Sequence, residues 1–236
     1  MAHFFDDRSP KTQKDFEDEF NAARGLANAP AGGFTSARLY TMVQWQTKQD
    51  VISAIPAAIA TNTSLLLGIW CSSGDEGVTN ELAALKTAIN TYGDNFTRLV
   101  VGLSVGSEDL YRNTDVARAN HERDPGTDPA TLVGDINHTS NRAVADAVDW
   151  VGMDAYSYWQ NQLANAADQS KSLFDAALNQ TRAAVGSAGK KKPMWITETG
   201  FPVSGHASNQ AVPSAENVQR FWREVGCPLF GEEHVW

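Results

Sequence analysis

The chain has 236 residues, 42% hydrophobic and 20% charged, which supplies a sizeable core and excludes wholesale disorder. With 19 Lys and Arg against 28 Asp and Glu the net charge is −9, so a phosphate backbone is a disfavoured partner while an uncharged polymer would not be repelled. Two cysteines, Cys71 and Cys227, exclude a disulfide scaffold and a four-cysteine zinc site, and leave one disulfide or two free thiols open. No run approaches transmembrane length, and the first eight residues lack the apolar segment of a signal peptide.

Strands and helices are predicted to alternate along the chain. Residues 11–26 read as an amphipathic helix with Phe16, Phe20, Ala23 and Ala27 at helical spacing. Residues 37–40 read as a short strand. Residues 49–60 read as a helix that Pro56 must kink or restart. An apolar strand follows over 64–70, then a helix over 80–92 with Leu82, Leu85 and Ile89 on one face, then a strand over 99–105. Residues 113–137 read mainly as a polar loop, and 141–148 as a helix. A strand over 150–156, a helix over 170–186, a strand over 193–197 and a helix over 214–225 complete the pattern, with a further strand starting at 233–236. This alternation predicts parallel βαβ units in one domain over 1–236, with no linker or repeat. Sequons at Asn62, Asn95, Asn137 and Asn179 leave secretory use and chance equally open.

Two glutamates carry the chemistry. Glu108 ends the apolar run 99–107, and Glu198 lies in Trp195-Ile196-Thr197-Glu198-Thr199-Gly200. Carboxylates at the C-terminal ends of parallel strands occupy the place where α/β folds put their active sites. A pair of them suggests an acid and a nucleophile about 5–5.5 Å apart, as glycosidic bond cleavage with retention requires. Asp109 suits the role of charging a helix N-terminus, which leaves Glu108 for the cleft. Trp70 and Tyr156, at strand ends, are the better candidates for stacking on sugar rings. A rival motif is Gly102-Leu103-Ser104-Val105-Gly106, which matches a serine-hydrolase elbow, but that elbow needs a helix directly after Ser104. The five histidines are scattered without paired spacing, and no phosphate loop occurs, so neither a metal nor any other cofactor is expected.

At this point the chain resembles fungal members of glycoside hydrolase family 17, the β-1,3-glucanases and glucanosyltransferases. The resemblance rests on residues 33–42 (Gly-Phe-Thr-Ser-Ala-Arg-Leu-Tyr-Thr-Met), 65–70 (Leu-Leu-Leu-Gly-Ile-Trp), 100–112, 150–158 and 195–205 (Trp-Ile-Thr-Glu-Thr-Gly-Phe-Pro-Val-Ser-Gly). It implies a TIM (β/α)8-type barrel acting on β-1,3-glucan by retaining chemistry, without a cofactor. Glu108, at the end of barrel strand 4, would be the proton donor, and Glu198, at the end of strand 7, the nucleophile. Arg38 and Tyr40 would orient the nucleophile side, and Tyr156 would line the −1 subsite. Ser107 stands where many related barrels carry Asn, and Phe201 where Trp is frequent, keeping an aromatic platform without an N–H donor.

The same comparison implies an incomplete barrel. The opening strand is missing, the strand 5 region at 133–140 is shortened, and strand 8 breaks off at Trp236. The chain is therefore expected to be a glucan hydrolase or transferase of the fungal cell wall, extracellular by resemblance. The first alternative is a catalytically impaired paralogue or fragment that only binds glucan, and the second a serine esterase using Ser104. No nucleic-acid partner or membrane span is expected.

Overall fold

The computed structural model describes residues 3–112, 126, 149–187 and 192–236. The loop expected within 113–137 (Gly126 apart), the helix over 141–148, the shortened stretch 133–140 and the sequon at Asn137 lie outside the described residues. The chain forms two compact units, Met1–Val144 and Ala145–Trp236.

In the first unit, helix α1 (Gln13–Arg24) starts at Thr12, whose hydroxyl caps Asp15 N–H while the Asp15 carboxylate returns to Thr12, a reciprocal capping box. Its Phe16 and Phe20 are buried, as the spacing predicted. Strand β1 (Ser36–Arg38), strand β2 (Ser64–Ile69) and strand β3 (Val100–Val105) form a parallel sheet in that order. Central β2 is buried from Leu65 to Ile69, the continuous apolar pattern of a strand covered on both faces. Gly68 lies against the neighbouring chain: a Cβ there would come within 2.3 Å of the Leu39 carbonyl oxygen and 2.8 Å of Tyr40 Cα.

Two predicted helices differ from the observed ones. Helix α2 is Ala54–Thr61, with Pro56 in its first turn, where no intrahelical N–H is lost; of the kink and the restart expected at Pro56, the structure shows a start just before it. Residues 43–52 instead turn back on themselves, with Gln44 N–H donating to Asp50 O (2.8 Å) and Ile52 N–H to Met42 O (2.9 Å). Helix α3 begins earlier than predicted and spans Gly74–Tyr92. Its buried face is Val78, Glu81, Ala84 and Ala88, whereas Ile89 is 43% exposed. Small alanines let the helix lie close to its neighbours, and the bulkier Leu82 and Leu85 flank that contact, half-buried.

In the second unit, strand β4 (Val151–Ala155) and strand β5 (Met194–Thr199) pair in parallel. Between them in sequence runs a helix over Ser170–Ser187. Met153, Ala155 and Ile196 form one core with Phe174 and Leu178 of that helix and with Phe221, Val225 and Leu229. Where a strand is expected to start at the C-terminus, the chain makes a single parallel bridge at Val235: Ile196 N–H donates to His234 O (2.8 Å) and Trp236 N–H to Ile196 O (3.0 Å). Cys227 carries an exposed free thiol, so of the two alternatives the disulfide is not formed. Phe174 is 2% exposed; Phe174→Ala is expected to cost about 3–5 kcal/mol, read as a lower urea midpoint.

All five predicted strands exist, and all pair in parallel. Among the described residues they form a three-stranded and a two-stranded sheet, and no closed ring is seen.

Candidate active site

The expected site residues fall at the C-terminal ends of the parallel strands. In the first unit, Arg38 closes β1 and is buried, with its guanidinium 4.6 Å from the centre of the Tyr40 ring. Trp70 directly follows β2, with the Arg112 guanidinium 4.6 Å from its ring centre. Both contacts hold an aromatic ring against a fixed planar cation, a favourable pairing.

Glu108 is exposed and sits in the left-handed backbone region, with φ 53°. That conformation costs a non-glycine residue roughly 1 kcal/mol or more and persists only where neighbours impose it. Here they do. The Asp109 carboxylate accepts Ser107 N–H (2.7 Å) and Ser72 hydroxyl (2.7 Å). Arg112 donates to Ser107 O (2.6 Å) and to Ser72 Oγ (2.7 Å), and its side chain lies 3.4 Å from Asp109. Asp109 does begin a short helix, Asp109–Arg112, as expected, but its carboxylate is spent on the Ser107 peptide and on an ion pair that is almost wholly buried. Ser107 is thus pinned through both its N–H and its carbonyl. Asp109, Arg112 and Ser72 are site residues that the motif reading did not assign to this task.

Ser104 lies inside β3, paired in register with Gly68, and its hydroxyl turns to Gly106 O at 3.4 Å. The next helix starts at Asp109, five residues on, so the strand-to-helix elbow of a serine hydrolase is not built.

A second missed residue is Glu81, on the buried face of α3. Its carboxylate accepts the Thr41 hydroxyl and the backbone N–H groups of Met42 (2.5 Å) and Trp70. Burial pushes its pKa up to about 7, against the downward pull of those three hydrogen bonds. The folded chain therefore binds this proton more tightly than the unfolded chain does, whose value is about 4.5. The associated stabilisation is complete below about 4.5 and is lost as pH rises through about 7. From 4.5 to about 7 the loss is about 3 kcal/mol. Unfolding free energy measured between pH 4 and 8 is expected to show this decline, and Glu81→Gln to flatten it.

In the second unit, a bulge sets the geometry. Met153 pairs with Ile196, but the next residue, Asp154, pairs with Glu198, leaving Thr197 as an extra residue in β5. Ile196 faces the helical core, and strict alternation would send Glu198 the same way. The bulge turns Glu198 to the opposite face instead, beside Asp154 and Tyr156. The Tyr156 hydroxyl donates to Glu198 Oε2 at 2.7 Å. A carboxylate oxygen of Asp154 lies within 4.8 Å of one of Glu198, and Asp154 Oδ1 accepts the Thr197 hydroxyl at 2.6 Å. Gly152 leaves room for that hydroxyl, which would lie 2.8 Å from any Cβ placed there. Lower on the same face, Trp150 and Trp195 stack with ring centres 4.2 Å apart. Phe201 follows the strand and packs edge-on against Tyr158, with ring centres 5.7 Å apart; the Tyr158 hydroxyl is itself tied to His206 O.

The structure thus brings together Arg38 with Tyr40, Trp70 with the Ser107–Arg112 turn, and Tyr156 with Glu198. Glu108 stands in the first unit and Glu198 in the second.

Carboxylates and aromatic rings gathered at the C-terminal ends of parallel strands define an α/β protein of the kind that works at its strand ends. More particularly, the chain belongs to the family of the BtgE/BtgC glycoside hydrolase domain, whose model matches residues 3–236. It is 49% identical to a "Probable glucan endo-1,3-beta-glucosidase" of Aspergillus terreus over 98% of this chain and 51% of that protein. It is 28% identical to a "Glucan 1,3-beta-glucosidase" of Saccharomyces cerevisiae, over 94% of this chain and 73% of that protein. The chain spans about half the length of the Aspergillus relatives it matches. Among solved structures, a glycoside hydrolase family 17 beta-1,3-glucanosyltransferase from Rhizomucor miehei superposes with a TM-score of 0.71 at 23% identity, covering 94% of this chain and 78% of that one. An active-site mutant of that enzyme in complex with laminaritriose gives 0.70. These two structures share the fold of this chain.

Proposed function

We propose that this chain is a retaining glycoside hydrolase or transglycosylase acting on β-1,3-glucan, with Glu108 as acid/base and Glu198 as nucleophile. The observation that carries the reading is the bulge at Thr197, which places Glu198 at a strand end with its carboxylate oriented by the Tyr156 hydroxyl. The relatives' names and the laminaritriose complex support the substrate.

In the first half-reaction, Glu108 delivers its proton to the glycosidic oxygen as Glu198 bonds to the anomeric carbon and the aglycone leaves. In the second, Glu108 removes a proton from the incoming acceptor, whose oxygen displaces Glu198 from the opposite side. Two inversions restore the β configuration. Water as acceptor gives hydrolysis, and a glucan hydroxyl gives transfer. Arg38, Tyr40, Trp70, Ser107, Tyr156 and Phe201 would hold the sugars.

We read residues 1–236 as one barrel-type domain with a shortened interior. The match with the Aspergillus terreus relative supports a shortened interior, because its 256 aligned positions exceed the 236 residues of this chain. A cell-wall location agrees with exposed sequon asparagines Asn62, Asn95 and Asn179.

The test is incubation of the purified protein with a β-1,3-linked glucose oligosaccharide, with products followed by chromatography and the first-formed anomer by proton NMR. The expected result is cleavage with the β anomer formed first. Binding without turnover would leave the impaired-paralogue alternative. Ester cleavage dependent on Ser104, with no action on the oligosaccharide, would overturn the reading.

A further inference from the structure

Glu81 stands apart from the two glutamates assigned to bond cleavage, yet it is 5% exposed and carries a charge-bearing group into the interior of the first unit. A buried carboxylate is an expensive way to fill space, and an apolar side chain at this point of α3 would pack the helix without that cost. What the carboxylate supplies is acceptors. Arg38↔Leu66 is the last ladder pair of β1, and Ile69↔Val105 the last between β2 and β3. Beyond those pairs the chain has left the sheet, and the N–H groups of Met42 and Trp70 have no strand carbonyl opposite them. Glu81 accepts both, together with the Thr41 hydroxyl, which itself accepts Val43 N–H at 3.0 Å.

The two segments it joins are those that bear Tyr40 and Trp70. Tyr40 is the residue before Thr41, and Trp70 is held by its own N–H. Gly68 already lets the Leu39–Tyr40 backbone sit directly on β2, so the segments are adjacent. The carboxylate then fixes their register from behind.

We propose that Glu81 is a positioning residue: from the helix behind the sheet it locks the end of β1 to the end of β2, and so sets the spacing of the Tyr40 and Trp70 rings that meet the glucan. The inference rests on the glucan reading above. It predicts that Glu81 acts on binding of the sugar rather than on bond cleavage, since neither glutamate of the reaction is among its partners.

Glutamine at 81 can still accept Met42 N–H and can donate to Thr41 Oγ1, so Glu81→Gln is the conservative variant. Glu81→Ala strands three buried polar groups and is the severe one. Thr41→Val is a third variant, which removes one hydroxyl only. Each is compared with wild type for melting temperature, for kcat and KM on a β-1,3-linked glucose oligosaccharide, and for calorimetric affinity for laminaritriose. Expected are KM and Kd about tenfold higher in Thr41→Val, higher still in Glu81→Ala if it folds, and less than threefold changed in Glu81→Gln, with kcat within threefold throughout. Variants that melt earlier but keep wild-type KM and Kd would reduce Glu81 to a stabilising residue and overturn the inference alone. So would variants whose kcat falls while KM and Kd stay fixed. A wild type that binds laminaritriose without cleaving it leaves the affinity comparison to decide. A wild type that neither binds nor cleaves would overturn the glucan reading, and this inference with it.

Discussion

Glu198→Ala is expected to abolish turnover of β-1,3-glucan while leaving the chain folded. The side chain stands at the end of β5 on the face opposite the helical core, so its removal opens no cavity among Phe174, Leu178 and Ile196. Its loss deletes the atom that would bond to the anomeric carbon, and no neighbour can substitute in place: Asp154 approaches within 4.8 Å but is fixed by the Thr197 hydroxyl. The loss should be roughly 10⁴-fold in kcat, the scale seen when one member of a catalytic unit is deleted. Added azide offers a sharper check. A small anion in the vacated space should attack an activated β-glucoside from the nucleophile's side, giving an α-configured glycosyl azide by a single inversion. Identification of that anomer by NMR separates a missing nucleophile from general damage. Unchanged turnover would remove Glu198 from the reaction.

Glu108→Gln should have an effect that depends on the leaving group. The amide keeps the size of the side chain and its place at φ 53°, held by the Ser107, Asp109 and Arg112 contacts, but has no proton to give. For glucan, whose departing alcohol needs protonation, the expected loss is about 10²–10⁴-fold. For an aryl β-glucoside with an acidic phenol, the first half-reaction needs no acid and should be nearly intact. The second half-reaction lacks its base and becomes limiting. A burst of phenol followed by slow turnover in stopped-flow measurements is the expected signature. Equal losses on both substrates would assign Glu108 to a structural role.

Much of the scaffold was legible because its signals are local. Apolar runs bounded by polar residues marked all five strands, and the partial strand at the C-terminus reappears as the bridge at Val235. The family motifs also placed Arg38, Trp70, Glu108, Tyr156 and Glu198 at strand ends. Other features were hidden because they depend on partners distant in sequence. Glu81 was hidden because an acidic residue beside Leu82 and Leu85 reads as the solvent side of an amphipathic helix; only the contacts with Thr41, Met42 and Trp70 reverse that reading. The helix expected over 49–60 failed at its start, where Val51 bridges to Val43 and the polar turn between them competes with helix formation. The ion pair of Asp109 with Arg112, its burial and its grip on Ser107 were not read from the sequence, because they depend on how the turn folds back on itself.

The extra residue in β5 also bears on how this motif can be moved or copied. A strand is read in twos, so its odd and even positions belong to different environments. Thr197 is the single position at which that count is reset. Pairing Thr197 as an ordinary ladder residue, with no bulge, would leave the sequence unchanged yet send the Glu198 carboxylate in among Met153, Phe174 and Ile196, where an uncompensated charge costs several kcal/mol. A graft of the Trp-Ile-Thr-Glu segment onto another parallel sheet carries its chemistry only if the host strand tolerates the same miscount. The unit to transplant is the tetrapeptide together with a partner strand that, like β4, pairs two consecutive residues across three.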